Sequence, residues 1–532
     1  MSQGKHPRGL YLLFFTEMWE RFGYYLMLGI LFLYMVGGLD GGGLGLEESA
    51  AHDIYGTYIA LVYLTPFVGG LLADRVFGYR RTIIFGGATM AAGYLTLAIP
   101  GQTAFFVALA LVIIGNGFFK PNISTLLGNL YNKPEYVKLK DRGYNIFYMG
   151  INVGAFICNF IAAWLRNSYG WGYAFAAAGV GMLIGLAIFI SGKGVLGEAD
   201  QLKPVQKEDM PLRRIYTTIF LPVLLFGVLG YFAAGLFGMD DLLGSRSNDV
   251  FLFACIPVVY FYLSTYLKAS AEDKQSIGSL LYIFGVVIVF WAIFHQNGNV
   301  LTEWAEKYTD RQVPEAMTGV VSTIRADQTV HAPAPGEQAD AYLANLPAAD
   351  QPSTDRPLHL VSTEIFQSLN PMFVVLLTPL ILALWGFLGR RNTEPSTPGK
   401  IALGLFITGL STLVMIMAVK ASGNGATKVS AWWLIGTYAV ITFGELCLSP
   451  MGLSLVSKLS PQRLTALMMG GWFLSTSIGN KLSGVLGHLG SDSDDRALVF
   501  YMNFAGAMAS ALLLFLAVKR IRGVMIAKTG HT

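Results

Sequence analysis

Residues 16–25 read Thr-Glu-Met-Trp-Glu-Arg-Phe-Gly-Tyr-Tyr and lie inside an apolar run that extends from about residue 10 to residue 34. In a helix, positions 17, 20, 21, 24 and 25 share one face. That face cannot border lipid, because a charged side chain at the centre of a membrane helix costs about 2.5–3.5 kcal/mol on insertion scales. The stretch therefore predicts a membrane helix whose charged face contacts protein, water or a ligand, unless it is an ion pair that only holds helices together.

The composition is typical of a membrane protein rather than of a soluble one. Of 532 residues, 54% are hydrophobic and 13% are charged, whereas soluble domains have about 25% charged residues. The net charge of +4 is modest and its excess falls in loops, so nucleic acid is not an expected partner. Cys158, Cys255 and Cys447 lie in apolar runs at unrelated spacings, which indicates neither a disulfide framework nor a metal site.

Apolar stretches of about 20 residues, the length that crosses a bilayer, recur fourteen times. The first is too long for a signal-peptide core and lacks a small-residue cleavage site, so it is expected to be a mature span. The predicted spans lie near residues 10–36, 53–74, 81–99, 104–130, 144–165, 171–191, 215–237, 249–268, 275–297, 366–388, 400–420, 431–456, 464–488 and 497–518.

The distribution of basic residues predicts which ends of the spans face the cytoplasm. If the N-terminus is cytoplasmic, the cytoplasmic loops and tails hold 25 lysines and arginines, whereas the short loops opposite hold five. This bias agrees with the positive-inside rule and predicts that both termini are cytoplasmic. One external loop is long, at about 298–365, and its middle is rich in Pro and Ala. It is expected to be a solvated, partly disordered connection with a short helix near Asp340–Leu346.

Polar residues also lie inside other spans. Residues 115–124 read Gly-Asn-Gly-Phe-Phe-Lys-Pro-Asn-Ile-Ser and place Lys120 in mid-membrane, where it needs an anion that Glu17 or Glu20 would supply, unless it snorkels to the surface. Residues 147–154 read Phe-Tyr-Met-Gly-Ile-Asn-Val-Gly. Glu445 lies in the middle of the twelfth span, before a helix-breaking proline.

The loop after the second span reads Gly-Gly-Leu-Leu-Ala-Asp-Arg-Val-Phe-Gly-Tyr-Arg-Arg at residues 69–81. It resembles the loop motif of the major facilitator superfamily, which concerns gating, and in which Asp74 and Arg75 brace helix ends. Glu-x-x-Glu-Arg-Phe-x-Tyr-Tyr in the first span, Gly-x-Gly-x-x-Lys-Pro-x-x-Ser in the fourth and Phe-Tyr-x-x-Ile-Asn-x-Gly in the fifth resemble the signatures of the proton-dependent oligopeptide transporter family.

The resemblance covers essentially the whole chain. It implies an all-α integral membrane protein with the major facilitator superfamily fold and 14 transmembrane helices. The implied organisation is a six-helix bundle at 1–192, a linker with two extra helices at 193–274, and a second six-helix bundle at 275–532 that carries the long external loop.

The resemblance further implies a symporter that imports di- and tripeptides with protons across the cytoplasmic (inner) membrane by alternating access. No enzyme activity, cofactor or metal is implied, and a monomer in the lipid bilayer is expected. The ammonium group of a peptide would bind Glu445, and its carboxylate would bind Arg21 and Lys120. The proton sites would be Glu17 and Glu20, with Lys120 pairing with them when they are unprotonated, and Glu445 is a further candidate.

The other candidate peptide contacts are Tyr25, Tyr63, Asn152, Trp291, Asn370 and Trp472. A single tryptophan or asparagine in a helix is as often a packing residue as a ligand, so for Trp291, Trp472 and Asn152 both interpretations stay open. An intramembrane enzyme is disfavoured, because the spans contain neither a nucleophile–base pair nor a metal-ligand cluster. Two alternatives remain: a transporter of another solute on the same fold, such as nitrate or a peptidomimetic, and a membrane sensor that binds peptides without moving them.

One position departs from the family pattern. Many bacterial members have an arginine seven residues after the arginine of the first motif, paired with an acidic residue on the seventh core helix as an external gate. Here that position is Leu28, and the partner segment offers Phe294 and His295. The external end is therefore expected to close by other contacts. Lys481, a further cation near the external end of its span, has no role in the family pattern and is expected to snorkel.

Overall fold

The computed structural model describes residues 6–136, 139–192, 194–197, 199–200, 211–333, 339–353, 356–461 and 464–529. Within these ranges, the side chains of Phe67, Asp74, Arg75, Lys140, Asp141, Leu212, Glu315, Thr465, Ala466 and Thr529 are not described.

The described residues are arranged almost entirely as helices. In the N-terminal half (residues 1–192) these are α1 Arg8–Val36, α2 Glu48–Leu64, α3 Pro66–Leu72, α4 Tyr79–Leu97, α5 Gln102–Leu130, α6 Lys140–Tyr169 and α7 Trp171–Ser191. Then follow α8 Leu212–Ile215, α9 Leu221–Ala233 and α10 Arg246–Leu267. In the C-terminal half (residues 275–532, with α11 beginning just before it) they are α11 Ala271–Phe294, α12 Val300–Lys307, α13 Glu315–Thr323, α14 Leu369–Arg390, α15 Thr397–Ala421, α16 Trp432–Leu459, α17 Thr465–Ser491 and α18 Leu498–Thr529.

Among the described residues, eleven helical segments are long and apolar enough to cross a membrane. The other three predicted spans correspond to α1, α4 and α17, which are long helices of 29, 19 and 27 residues with charged residues or many glycines. The fourteen predicted spans are therefore confirmed, with ends that shift by a few residues, because hydrophobic length is a local property of the sequence. The division into two bundles and a linker stays a prediction.

The described residues of the long loop, which we call the insert (residues 298–365), form a folded unit. Strands β2 (Asp327–Val330) and β3 (Leu358–Val361) pair antiparallel. Val330, Tyr342, Leu343 and Leu360 form a small core beside them. The predicted short helix is confirmed at Ala341–Asn345.

For its described residues, the expectation of a solvated, partly disordered connection is wrong. Residues 334–338, in the Pro- and Ala-rich middle for which it was made, lie outside the described residues. Val330, the pair Tyr342 and Leu343, and Leu360 are far apart in the sequence and meet only in the fold. Two further strands, β1 (Thr309–Asp310) and β4 (Val429–Ser430), pair in parallel and join the insert to the loop between α15 and α16.

The two halves are held together at the end of the membrane helices from which the insert emerges, which we call the insert side. Polar contacts between described residues of the two halves are concentrated there. They include His52–Glu303 at 2.9 Å, Glu48–Lys307, Arg166–Glu364 at 3.1 Å, Gln367–Gly29 at 3.0 Å and Asn159–Ser368 at 3.0 Å. The structure is therefore a conformation that is closed on the insert side.

Direct helix contact accompanies these polar contacts. A side-chain carbon built on Gly56 of α2 would lie 2.7 Å from the Cα atom of Gly484 of α17. Glycine at both positions lets the two backbones touch, as small residues do at helix interfaces in membranes. The closed end is thus formed by α2 from one half and α17 from the other.

Candidate functional site

The charged face of α1 is buried, as the sequence predicts. Glu17, Glu20 and Arg21 have exposed fractions of 3%, 0% and 3%. The guanidinium of Arg21 donates from Nη2 to Oε1 of Glu20 at 2.6 Å and from Nε to Oε2 of the same carboxylate. Arg21 Nε also lies 3.2 Å from Oε1 of Glu17. One cation is thus shared by two carboxylates, and the cluster carries a net negative charge when both are ionised.

Lys120 lies in α5, directly before Pro121, which interrupts the helical hydrogen bonding. Its ammonium is 4.1 Å from the centre of the Tyr63 ring, a cation–π contact. Within the described residues, Lys120 forms no ion pair with Glu17 or Glu20. Arg21 pairs with both carboxylates, and Oε2 of Glu17 is buried without a hydrogen-bond partner. The pairing of Lys120 with these carboxylates in another protonation state stays a prediction.

The opposite wall comes from the C-terminal half. The amide nitrogen of Asn370, near the start of α14, donates to Oε2 of Glu445 at 2.9 Å and lies 2.9 Å from Oγ1 of Thr442. Glu445 lies in α16, five residues before Pro450. A neutral hydrogen bond from Asn370 therefore holds this carboxylate, and no described residue forms an ion pair with it, which leaves its charge available for a cation.

An aromatic cluster joins the two walls. The rings of Trp291 and Trp472 are 6.3 Å apart at 84°, and His295 lies 5.6 Å from Trp291 and 5.5 Å from Tyr63. Trp472 is 2% exposed and fits only because residue 452 is glycine. The Trp291 indole nitrogen is buried without a hydrogen-bond partner among the described residues. It is therefore a donor that a ligand can use.

Two tyrosines connect the charges of the two halves. Tyr25 and Tyr63 both lie within electrostatic range of Arg21 and of Glu445. Arg21 of one half and Glu445 of the other thus act on the same two tyrosines. The amide nitrogen of Asn152 instead donates to the Tyr148 carbonyl of its own helix at 2.9 Å.

The side chains of Asp74 and Arg75 lie outside the described residues. Their backbone is in a wide helical turn, Ala73–Phe77, that ends at Gly78. Gly78 has a φ of +77°, a conformation that favours glycine. The structure therefore accounts for the turn of this motif.

Sequence reasoning missed several partners of the charged residues. Thr442, which contacts Asn370, gave no signal as a lone threonine in a helix. Asp53 was placed at the first residue of a predicted span, whereas α2 begins at Glu48, so that Asp53 lies within the helix. Glu303 was assigned to the loop. The only signal was the position of Lys481 inside a span, which indicated that an acidic partner must lie nearby.

A family model described as the POT family matches residues 80–326 and 353–501. The chain belongs to the POT family. The match to the family model begins at residue 80, after α1, so the Glu17–Arg21 motif lies outside the matched residues. The POT family assignment identifies the chain as a multi-pass membrane transporter rather than an enzyme.

Individual relatives agree over nearly the full length. The chain is 33% identical to the di-/tripeptide transporter of Lactococcus lactis subsp. lactis (strain IL1403), over 90% of this chain and 88% of the relative. It is also 33% identical to the uncharacterized transporter YclF of Bacillus subtilis (strain 168), over 98% of this chain and 96% of the relative.

Solved structures show the same fold. A crystal structure of the peptide transporter POT in complex with sulfate has a TM-score of 0.79 at 32% identity, and covers 99% of this chain and 97% of that one. A POT family transporter in complex with 5-aminolevulinic acid has a TM-score of 0.78 at 26% identity, and covers 97% of both chains. The predicted all-α membrane fold of the major facilitator superfamily is confirmed.

Proposed function

We propose that this POT family member imports di- and tripeptides together with protons across the cytoplasmic (inner) membrane, by alternating access and as a monomer with both termini cytoplasmic. The observation that carries the proposal is the separation of charge between the two halves. Arg21 and Lys120 lie in one half, Glu445 lies in the other, and Tyr25 and Tyr63 interact with both sides. Relatives that are named as di-/tripeptide transporters support the substrate class.

A short peptide at neutral pH carries an ammonium group at one end and a carboxylate at the other. Glu445, held by Asn370 without a basic partner among the described residues, is suited to the ammonium group. Arg21 and Lys120 are suited to the carboxylate, and Arg21 offers two parallel N–H donors. A ligand that bridges both halves binds the closed arrangement more tightly than the open one, which supplies the differential affinity that drives a conformational change.

Proton coupling follows from competition for Arg21. When Glu20 is ionised, two donors of the guanidinium are engaged by its carboxylate. Protonation of Glu20 or Glu17 weakens this pairing and frees Arg21 for the carboxylate of a peptide. Peptide binding and proton binding then favour each other, as symport requires.

The departure at Leu28 also has an explanation under this proposal. Leu28 is 8% exposed, so it is a packing residue. His52–Glu303 and Glu48–Lys307 connect α2 to α12 nearer the insert. We propose that these pairs replace the missing arginine–acid pair. With the insert outside the cell, the structure corresponds to a state that is closed to the exterior.

The test is uptake of labelled di- and tripeptides into proteoliposomes with an imposed inward proton gradient. We expect uptake against the peptide gradient that a proton-conducting ionophore abolishes. Nitrate and a peptidomimetic are measured in parallel. Gradient-driven uptake of these without any peptide uptake would refute the substrate assignment. Peptide binding without flux would instead identify a sensor.

A further inference from the structure

Lys481 is the centre of a buried polar cluster, so the expectation that it snorkels is wrong. The side chain is 3% exposed. Its ammonium lies 2.6 Å from Oδ1 of Asp53, 2.6 Å from Oγ1 of Thr57 and 2.6 Å from Oγ of Ser247. The hydroxyl of Ser247 lies 2.7 and 2.6 Å from the two carboxylate oxygens of Asp53.

The cluster joins three separate parts of the chain. Asp53 and Thr57 lie in α2 of the N-terminal half, and Lys481 lies in α17 of the C-terminal half. Ser247 lies in the first turn of α10, one of the two extra helices. Each part supplies a polar group at the same depth on the insert side. A purely local role, such as capping one helix, does not explain a contact among all three.

The cluster is adjacent to the closest approach of the two halves. Gly56, three residues after Asp53, touches Gly484, three residues after Lys481. One turn further from the insert, the Ser477 hydroxyl donates to the Ala60 carbonyl at 2.7 Å. Any motion that opens the insert side must therefore separate α2 from α17 and break the contact between Lys481 and Asp53.

We propose that Lys481 and Asp53 form a latch that holds the insert side closed, and that the extra helices stabilise it through Ser247. An isolated ammonium is strongly disfavoured in a membrane interior, so Lys481 favours the conformation in which its acid is present. The hydroxyl of Ser247 is within hydrogen-bond distance of both oxygens of Asp53 and lies 3.2 Å from Oγ1 of Thr57. On opening, Lys481 leaves Asp53 together with α17.

This inference assigns a role to the extra helices. It rests on alternating access as proposed above, but its test needs no substrate. Cysteines replace Asp40 and Asp494, exposed loop residues on the insert side of the two halves, in a variant without Cys158, Cys255 and Cys447. Spin labels attached to these two cysteines report the distance between the halves, measured by pulsed electron paramagnetic resonance in lipid nanodiscs.

We expect the parent protein to show mainly the short, closed distance. Lys481→Gln should raise the ratio of open to closed molecules by about tenfold or more, because Asp53 loses its cation. Ser247→Ala should raise it by a smaller factor, about twofold to threefold, as a single hydrogen-bonding partner is lost. The exchange of Asp53→Lys with Lys481→Asp should restore the closed state. The control Lys420→Gln, at an exposed lysine on the same side, should change nothing.

An unchanged distance distribution in folded Lys481→Gln would refute the latch. If that variant does not fold, Ser247→Ala and Thr57→Val are compared with the parent, and unchanged distances in both would refute it equally. Because no peptide is present, a shift toward the open state supports the latch even if the uptake experiment fails. The experiment therefore distinguishes a failure of the latch proposal from a failure of the transport proposal.

Discussion

Two of the buried ion clusters on the described membrane helices differ in one respect that separates their roles. The cluster of Glu17, Glu20 and Arg21 lies within a single helix of one half. The cluster of Lys481 and Asp53 crosses the boundary between the halves. Motion of the halves leaves the first intact and breaks the second. A cluster within one half can exchange protons and ligands in either conformation, whereas a cluster across the boundary responds to the conformation itself.

The largest effect is expected from Glu20→Gln, which removes the main partner of Arg21. Glutamine mimics the protonated carboxylate but cannot exchange a proton, so gradient-driven peptide accumulation should be lost, while peptide exchange without a gradient partly survives. Uptake and counterflow in proteoliposomes measure the two activities. Glu47→Gln, at an exposed glutamate, is the control. Undiminished accumulation in Glu20→Gln would show that this cluster does not couple peptide transport to protons.

A somewhat smaller effect is expected from Arg21→Lys, which keeps the charge but loses the paired donors to Glu20. Lysine cannot bind a carboxylate through two parallel N–H groups. We therefore expect the KM for dipeptides to rise about tenfold or more, with Lys268→Arg, at an exposed site, as a neutral control. An unchanged KM would show that Arg21 serves the proton and not the peptide.

Lys481→Gln should affect transport differently from the two variants of the α1 cluster. If the latch only sets the balance between conformations, coupling to the proton gradient is kept, while kcat falls by about threefold to tenfold. The external KM should fall as well, since more molecules are open outside. Uptake kinetics at fixed gradient give both constants. Loss of coupling in Lys481→Gln would abolish the distinction between the two clusters.

The smallest effect is expected at Lys428 of the C-terminal half, which contacts the insert and takes part in neither of these two clusters. Burial, together with the nearby Arg311, lowers the pKa of Lys428 to about 8, and its ammonium lies 4.1 Å from the centre of the Tyr342 ring. The unfolded lysine titrates near 10.4, so between about pH 8 and pH 10 the unfolded state binds more protons and stability rises with pH. The destabilisation by the buried, charged lysine disappears completely only above the pKa of the unfolded lysine.

We expect Lys428→Met to remove that part of the pH dependence of the melting temperature, a change of a few degrees, without altering transport coupling. Thermal unfolding of the purified protein between pH 7 and pH 10 measures it, and Lys420→Met is the matched control. A pH profile identical to that of the parent protein would contradict the assignment of this lysine.

The sequence predicted the helices and the charged face of α1 because both are local. A membrane span must satisfy its backbone hydrogen bonds within itself, so its length and apolarity appear in about 20 consecutive residues. Glu20 and Arg21 are neighbours, and their shared helix face follows from spacing alone. The resemblance of the motifs also predicted that Glu445 and Lys120 belong to one site.

Only the tertiary structure decided which charges meet. Lys481 is separated from Asp53 by 428 positions and from Ser247 by 234. Nothing in the local pattern around Lys481 specifies a partner, because helix packing sets such contacts. The same holds for Lys120, which lies on the Tyr63 ring, and for the insert, whose core residues are scattered along the chain. Local hydrophobicity determined the spans of this protein, and long-range packing determined its pairs.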